Sequence, residues 1–450
     1  MPFSSVRLLS PRLGALSPLA LAALCLAGSA HAQSLQDLYD AAHQYDATYL
    51  AVRAATDSAQ YRADQTMALR LPGVQLTAGV SRSTSDTPYT TPKSSETNAH
   101  SATLSASQNV FNRANDITID QADKAVVIAQ SQLRAAEQDL IVRLAQAYFD
   151  VLASSDALDT VRANKAAIKE QLASAQRNFE VGTATITDTR EAQAAYDLAL
   201  AQELAADNDL RVKRVALEQL VGRDNLQPRP LAVPVVLPLL APASVDPWVI
   251  TADANNPTIE QARLGLDVAK LETSKARAGH LPTVALTGSY TKGHLDTDTS
   301  SGSLKGNNGS SAIGLTVTVP LFAGFATQNR IKETLSLEDQ SVNNLEAARR
   351  GVAQGTRTAF FGVQSGMAQI KALEAAEVSS KLALDATKLG YEVGVRVNLD
   401  VLNAQTKLYT TQRDLAKARY DVILGKLKLR QASGELNPSD IAAANALLAK

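Results

Sequence analysis

The side chains able to do chemistry are few, and their spacing argues against catalysis. Beyond residue 32 the histidines are His43, His100, His280 and His294, and none stands at a metal-binding interval such as H-E-x-x-H. The only cysteine, Cys25, lies in the first apolar stretch, so the rest of the chain offers no thiol nucleophile, thiolate ligand or disulfide. There is no G-x-S-x-G elbow and no P-loop. No metal or cofactor is expected. The polar groups of interest instead stand beside two glycines, with Asp188 after Gly182 and Tyr391 and Arg396 on either side of Gly394. A guanidinium presents a fork of donors that suits a carboxylate, and a phenol hydroxyl can share that carboxylate. Such a partly exposed pair is worth about 0–1 kcal/mol, weak enough to open when a partner binds and equally in keeping with ordinary coiled-coil surface charge.

The elements that must position these groups occur twice. Asn178-Phe179-Glu180-Val181-Gly182-Thr183 returns as Gly390-Tyr391-Glu392-Val393-Gly394-Val395, an ungapped offset of 212. The same offset joins Ala147-Tyr148-Phe149 to Ala359-Phe360-Phe361, Asp188 to Asp400, and Gly222 to Gly434. It falls to 210 where Leu71-Pro72 meets Leu281-Pro282, and small shifts of this kind accumulate in loops. The expected organisation is a signal segment at 1–32, repeat one at 33–226, a linker at 227–245, repeat two at 246–434 and a tail at 435–450.

Each repeat opens with a helical approach, Leu35 to Leu71 or Pro257 to Leu281, which stops at a proline. Alternation of period two follows and predicts β-hairpins over 72–111 and 282–322. Val74, Leu76, Ala78 and Val80 alternate with Gln75, Thr77, Gly79 and Ser81; Ile313, Leu315, Val317 and Val319 alternate with Gly314, Thr316 and Thr318. Strands of roughly ten residues with one apolar face and one small polar face fit a barrel wall between lipid and water. On that reading the Gly-rich run Gly302 to Gly309 is a flexible extracellular loop, and His100 and His294 are solvated histidines at hairpin ends or loops. Four strands cannot close a barrel, and unpaired edges cannot stand in lipid, so the chain must oligomerise.

After each hairpin the period changes. Ile119, Val126, Leu133 and Leu140 recur every seven residues beside Ala122, Ala129 and Ala136; Ile331, Leu345, Val352 and Ala359 continue the pattern in repeat two. This is a coiled-coil seam of large residues opposite alanine. No proline interrupts 114–178 or 323–389, and a helix of about 65 residues rises about 100 Å. Gly182 and Gly394 suit the hairpin tips where the chain reverses.

Arg7 and Arg12, the apolar stretch Leu13 to Ala27 and the small-x-small site Ala30-His31-Ala32 predict a cleaved export signal, leaving Gln33 first. Leu24 before Cys25 disfavours lipidation. Without the signal the chain has 42 basic and 45 acidic residues, which is no footprint for nucleic acid. The most apolar later run, Leu231 to Ala243, carries Pro234, Pro238 and Pro242 and reads as an extended linker.

The two-fold repeat, the Pro-to-strand junctions, the strand ends Gln108-Asn109-Val110-Phe111 and Val319-Pro320-Leu321-Phe322, and the turn signatures Phe-Glu-Val-Gly-Thr and Tyr-Glu-Val-Gly-Val resemble the TolC family of outer membrane efflux proteins. The resemblance spans nearly all of the chain beyond the signal. It implies a mixed α/β membrane protein in which a homotrimer forms one 12-stranded outer-membrane β-barrel continuing into a periplasmic α-helical coiled-coil barrel. It further implies docking on an inner-membrane transporter and a periplasmic adaptor protein. Thr187, Asp188, Tyr391 and Arg396 match positions that close the periplasmic end in that family. Asp400 matches one entrance carboxylate, whereas Asn403 stands where a second acid is expected, which weakens the case for strong cation selectivity.

The expected function is therefore an outer-membrane exit channel, with protein secretion of type I slightly favoured over small-molecule efflux by the tip motifs. A periplasmic coiled-coil adaptor is the alternative from another class. It would have long helical hairpins but would leave the two lipid-pattern β-hairpins unexplained.

Overall fold

The computed structural model describes residues 33–86, 94–232, 234, 235 and 237–449. The expected signal at 1–32 and the end of the first hairpin at 87–93 lie outside the described residues. The first half runs α1 (Leu35–Tyr45), α2 (Ala47–Met67), β1 (Gly73–Asp86), β2 (Ser94–Phe111), α3 (Arg113–Glu180) and α4 (Ile186–Val221). The second half runs α5 (Val245–Asn255), α6 (Pro257–Ala278), β3 (Thr283–Thr299), β4 (Gly302–Thr318), α7 (Ala326–Glu392) and α8 (Asn398–Ala432), and α9 (Pro438–Asn445) ends the chain.

The single approach helix expected over Leu35 to Leu71 is two helices. Asp46 is extended, with φ −61° and ψ 110°, and its carboxylate accepts the Tyr49 N–H at 3.1 Å to cap α2. In the second half Asn256 likewise breaks α5 from α6, accepting the Thr258 N–H at 2.9 Å ahead of Pro257. In both places a short side chain that satisfies a free helical donor outcompetes continuation of the helix. Burial raises the Asp46 carboxyl, but hydrogen bonds from Arg143, at 2.7 Å, and Tyr49 outweigh it and hold the group below the usual carboxylate range.

Among the described residues, four strands form one antiparallel sheet in the order β1-β2-β3-β4. They have 14, 18, 17 and 17 residues, longer than the ten expected. The Gly302–Gly309 run is not a loop but the first half of β4, paired residue by residue to Thr299–Lys292 of β3. Turn chemistry at Ser300 and Ser301 suffices to reverse the chain, and glycine does not prevent pairing when a long partner strand is at hand. The apolar positions of the alternating pattern share one exposed face, on which Leu76 is 71% and Ile313 89% exposed. Among the described residues of this chain β1 and β4 have no outer partner and are open edges.

Helices α3 and α7 have 68 and 67 residues, each rising about 100 Å. Each ends in a turn of the same construction. Gly182 and Gly394 take φ of +82° and +81°, where a side chain is disfavoured. Thr183 and Ala184 donate to the Asn178 carbonyl, as Val395 and Arg396 donate to that of Gly390.

The main core lies at the waist, where Leu35, Leu38, Leu140, Leu144, Tyr148 and Phe149 meet Ile423, Leu424 and Leu427. Here the linker crosses the helices: Gln33 N–H donates to Gln227, and Ala232 N–H to Leu447. The tail joins this core through Ile441, Ala444 and Leu448. Tyr148, 0% exposed, accepts the Arg229 N–H at 2.8 Å, and its one hydroxyl proton is shared between the Arg229 and Gln33 carbonyls at 3.1 and 3.3 Å. Tyr148→Phe is expected to leave these buried groups short of a partner and to cost about 1–3 kcal/mol, read as a lower denaturation midpoint at unchanged m-value.

Candidate functional site

The two tip turns lie side by side at the end of the helices. Asp188 is the third residue of α4, and its carboxylate closes a capping box with Thr185, accepting the Thr185 N–H at 2.9 Å and hydroxyl at 2.7 Å. Thr187, one residue before it, is exposed. Tyr391, in the last turn of α7, accepts a hydrogen bond on its hydroxyl from the Asn178 amide at 3.3 Å. Arg396 folds back over Gly390, where a Cβ would come within 2.8 Å of Arg396 Cγ, and pairs with Asp400 at 3.6 Å. Asn403 is exposed on the next turn.

The single chain therefore does not join Arg396 to Asp188. Asp188 is engaged by its own helix cap, Arg396 by Asp400, and Tyr391 by Asn178. The half-exposed Arg396–Asp400 pair is solvent-screened and leaves the other guanidinium donors available.

Sequence reasoning missed the residues that tie one hairpin to the other. Asn398, 0% exposed, donates from Nδ2 to the Asp188 carbonyl at 3.2 Å and accepts the Gln171 amide on Oδ1. Gln405, also buried, donates to the Asn164 carbonyl at 3.3 Å. Around these amides Leu402 packs with Ile168, Leu172, Ala175, Ala192 and Ala199. The available signal was periodicity. Asn398, Val401, Leu402, Gln405 and Leu408 form the buried face of α8, so two amides stand at positions that an apolar pattern assigns to the seam. Replacing Asn398 with Ala is expected to remove the second donor to the Asp188 carbonyl, to leave the Gln171 amide without its partner and to loosen the tips. Faster hydrogen exchange at the α4 N-terminus, with the waist unchanged, is the readout.

An open-edged antiparallel sheet standing on two long helical hairpins is the fold of known outer-membrane channels. The Campylobacter jejuni CmeC outer membrane channel superimposes with a TM-score of 0.77 over 98% of each chain, at 17% identity. The chain belongs to the outer membrane efflux protein family, whose model matches residues 38–223 and 248–435. It is 34% identical over 421 residues to the outer membrane protein TolC of Vibrio cholerae, covering 94% of this chain and 95% of that one. It is 32% identical over 435 residues to the alkaline protease secretion protein AprF of Pseudomonas aeruginosa, covering 93% of this chain and 88% of that one.

Proposed function

We propose that this chain is one subunit of a homotrimeric outer-membrane exit channel in a tripartite export system, carrying protein cargo by type I secretion. The observation that carries the reading is the exposed apolar face of a sheet with two open edges, set directly on helices of about 100 Å. Lipid covers such a face, and neighbouring copies satisfy such edges. Three copies bring twelve strands into one closed barrel, with the helical hairpins continuing as a tunnel into the periplasm. The like order of elements on the two sides of the linker supports descent from a duplicated unit, with an export signal ahead of it.

Thr187, Asp188, Tyr391 and Arg396 act as the resting gate. Within the chain Tyr391 is held by Asn178, and Arg396 keeps donors free for the carboxylate of an adjacent hairpin. Asp400 contributes one carboxylate per subunit at the entrance, and Asn403 keeps selectivity for cations modest. An inner-membrane transporter and a periplasmic adaptor are the partners that would pull the tips apart. Similarity to AprF, a protease secretion protein, over most of both chains supports protein cargo. The family's description as efflux proteins supports small-molecule efflux as the second reading.

Single-channel recording of the purified oligomer in a planar bilayer tests the channel. Small, long-lived openings are expected; well-folded protein that neither inserts nor conducts would return the chain to the periplasmic adaptor class. Cargo is decided by deletion in the native cell. Loss of a secreted protein from the medium supports type I secretion, and sensitivity to small toxic compounds with secretion intact supports efflux.

A further inference from the structure

Sequence spacing gave His100 and His294 no common role, yet the sheet places them directly opposite one another on β2 and β3. Opposite residues in an antiparallel ladder project from the same face with their Cβ atoms about 5 Å apart. The same ladder brings other opposite side chains into contact, since the hydroxyls of Thr97 and Thr297 lie 3.1 Å apart and those of Thr103 and Thr291 lie 3.0 Å apart. Both histidines are exposed, and they line one shallow groove with Val80, Lys292 and Asn307.

Asn307 on β4 faces His294 from the other side, and its Oδ1 lies 2.8 Å from His294 Nδ1. An amide oxygen only accepts, so Nδ1 is the protonated nitrogen, and in the neutral ring the lone pair lies on Nε2. A ring fixed by a hydrogen bond at one nitrogen, with the other free, is the usual preparation of a metal-binding imidazole. The register puts the pair on the face that carries Val74, Leu76 and Leu104, at the rim of the apolar band, level with Val80 and on the side of the β3–β4 turn. The groove contains no carboxylate.

We propose that His100 and His294 together bind one divalent transition-metal ion of the Zn²⁺, Ni²⁺ or Cu²⁺ class, with water completing its coordination. Two imidazole nitrogens with no carboxylate beside them select these ions against Mg²⁺ and Ca²⁺. The consequence is mechanical. The β2–β3 ladder is the seam between the two hairpins, and an ion held by one histidine from each strand clasps it. The proposal does not depend on what passes through the channel.

The test is equilibrium dialysis of the full, untagged oligomer in detergent against ZnCl₂ or NiCl₂, with MgCl₂ in excess as competitor. One ion per chain is expected, insensitive to Mg²⁺. His100→Ala and His294→Ala should each lower affinity at least about tenfold, and Asn307→Ala should weaken it within the roughly 10–100-fold range seen for supporting ligands. Unchanged affinity in His100→Ala, or displacement by Mg²⁺, overturns the site. If the alanine variants fail to assemble, the unaltered protein decides through the electron paramagnetic resonance of bound Cu²⁺. Coupling to two imidazole nitrogens is expected, and coupling to one or none overturns the proposal.

Discussion

Replacing Arg396 with Ser is expected to raise single-channel conductance several-fold while the oligomer stays intact on a non-denaturing gel. Arg396 is exposed at the tip, follows Gly394 by two residues, and touches its own chain through Asp400 at 3.6 Å and the face of Gly390. None of these contacts belongs to the waist core, so assembly should be untouched. An exposed ion pair is worth about 0–1 kcal/mol, and three symmetry-related pairs opening together are still a small barrier beside the whole fold. The population of open tips, and not stability, is thus the sensitive quantity. Asp400→Asn provides the control: it frees Arg396 from its partner in the same chain without removing the donor fork, and should open the tip less. Equal conductance of Arg396→Ser and the unaltered protein would remove Arg396 from the gate.

The second large effect is structural. Gly434→Ala is expected to destabilise the protein by roughly 3 kcal/mol or more, within the range reached by strained backbone sites. Gly434 has φ +78°, and an added Cβ would lie 2.5 Å from the carbonyl carbon and oxygen of Asn255 and 2.7 Å from Asn256 Cα. These are backbone atoms at the capped break between α5 and α6, which no side-chain rotation can clear. The Gly434 carbonyl also accepts the buried Gln138 amide at 3.2 Å, so displacing the loop breaks a second interaction. Gly182→Ala supplies the comparison. Its φ is almost the same at +82°, but nothing lies within 4 Å of the added atom. Only the left-handed backbone cost of about 1–2 kcal/mol should appear there. Thermal unfolding of the two variants separates the effects, and equal shifts would show that crowding at Gly434 is relieved cheaply.

Much of this architecture was legible because its signals are local. The alternation through Val74 to Val80 and Ile313 to Val319 marks strands, and the proline-free heptads mark helices that run until Gly182 and Gly394. Where expectation and structure part, a competing local interaction or a distant partner had decided the matter. Asp46 and Asn256 broke helices by capping, and the Gly302–Gly309 run became strand because β3 continues beside it. The tip was half legible. Turn glycines and charges stood in the repeated motif, whereas Asn398 and Gln405 drew no attention as amides within an apolar stripe.

By itself the sequence determined the long helices and the strand pattern, the doubled order, the glycine turns at the helix tips and the apolar face of the sheet. Each follows from periodicity, proline placement or the need for a left-handed glycine, all properties of a few consecutive residues. Only the tertiary structure decided which residues meet across the chain: Asn178 with Tyr391, Asn398 with Asp188, the tail with α1, and His100 with His294. Those pairings depend on the register of strands and helices far apart in sequence. Register is set by the simultaneous packing of the whole seam, so no single segment carries it.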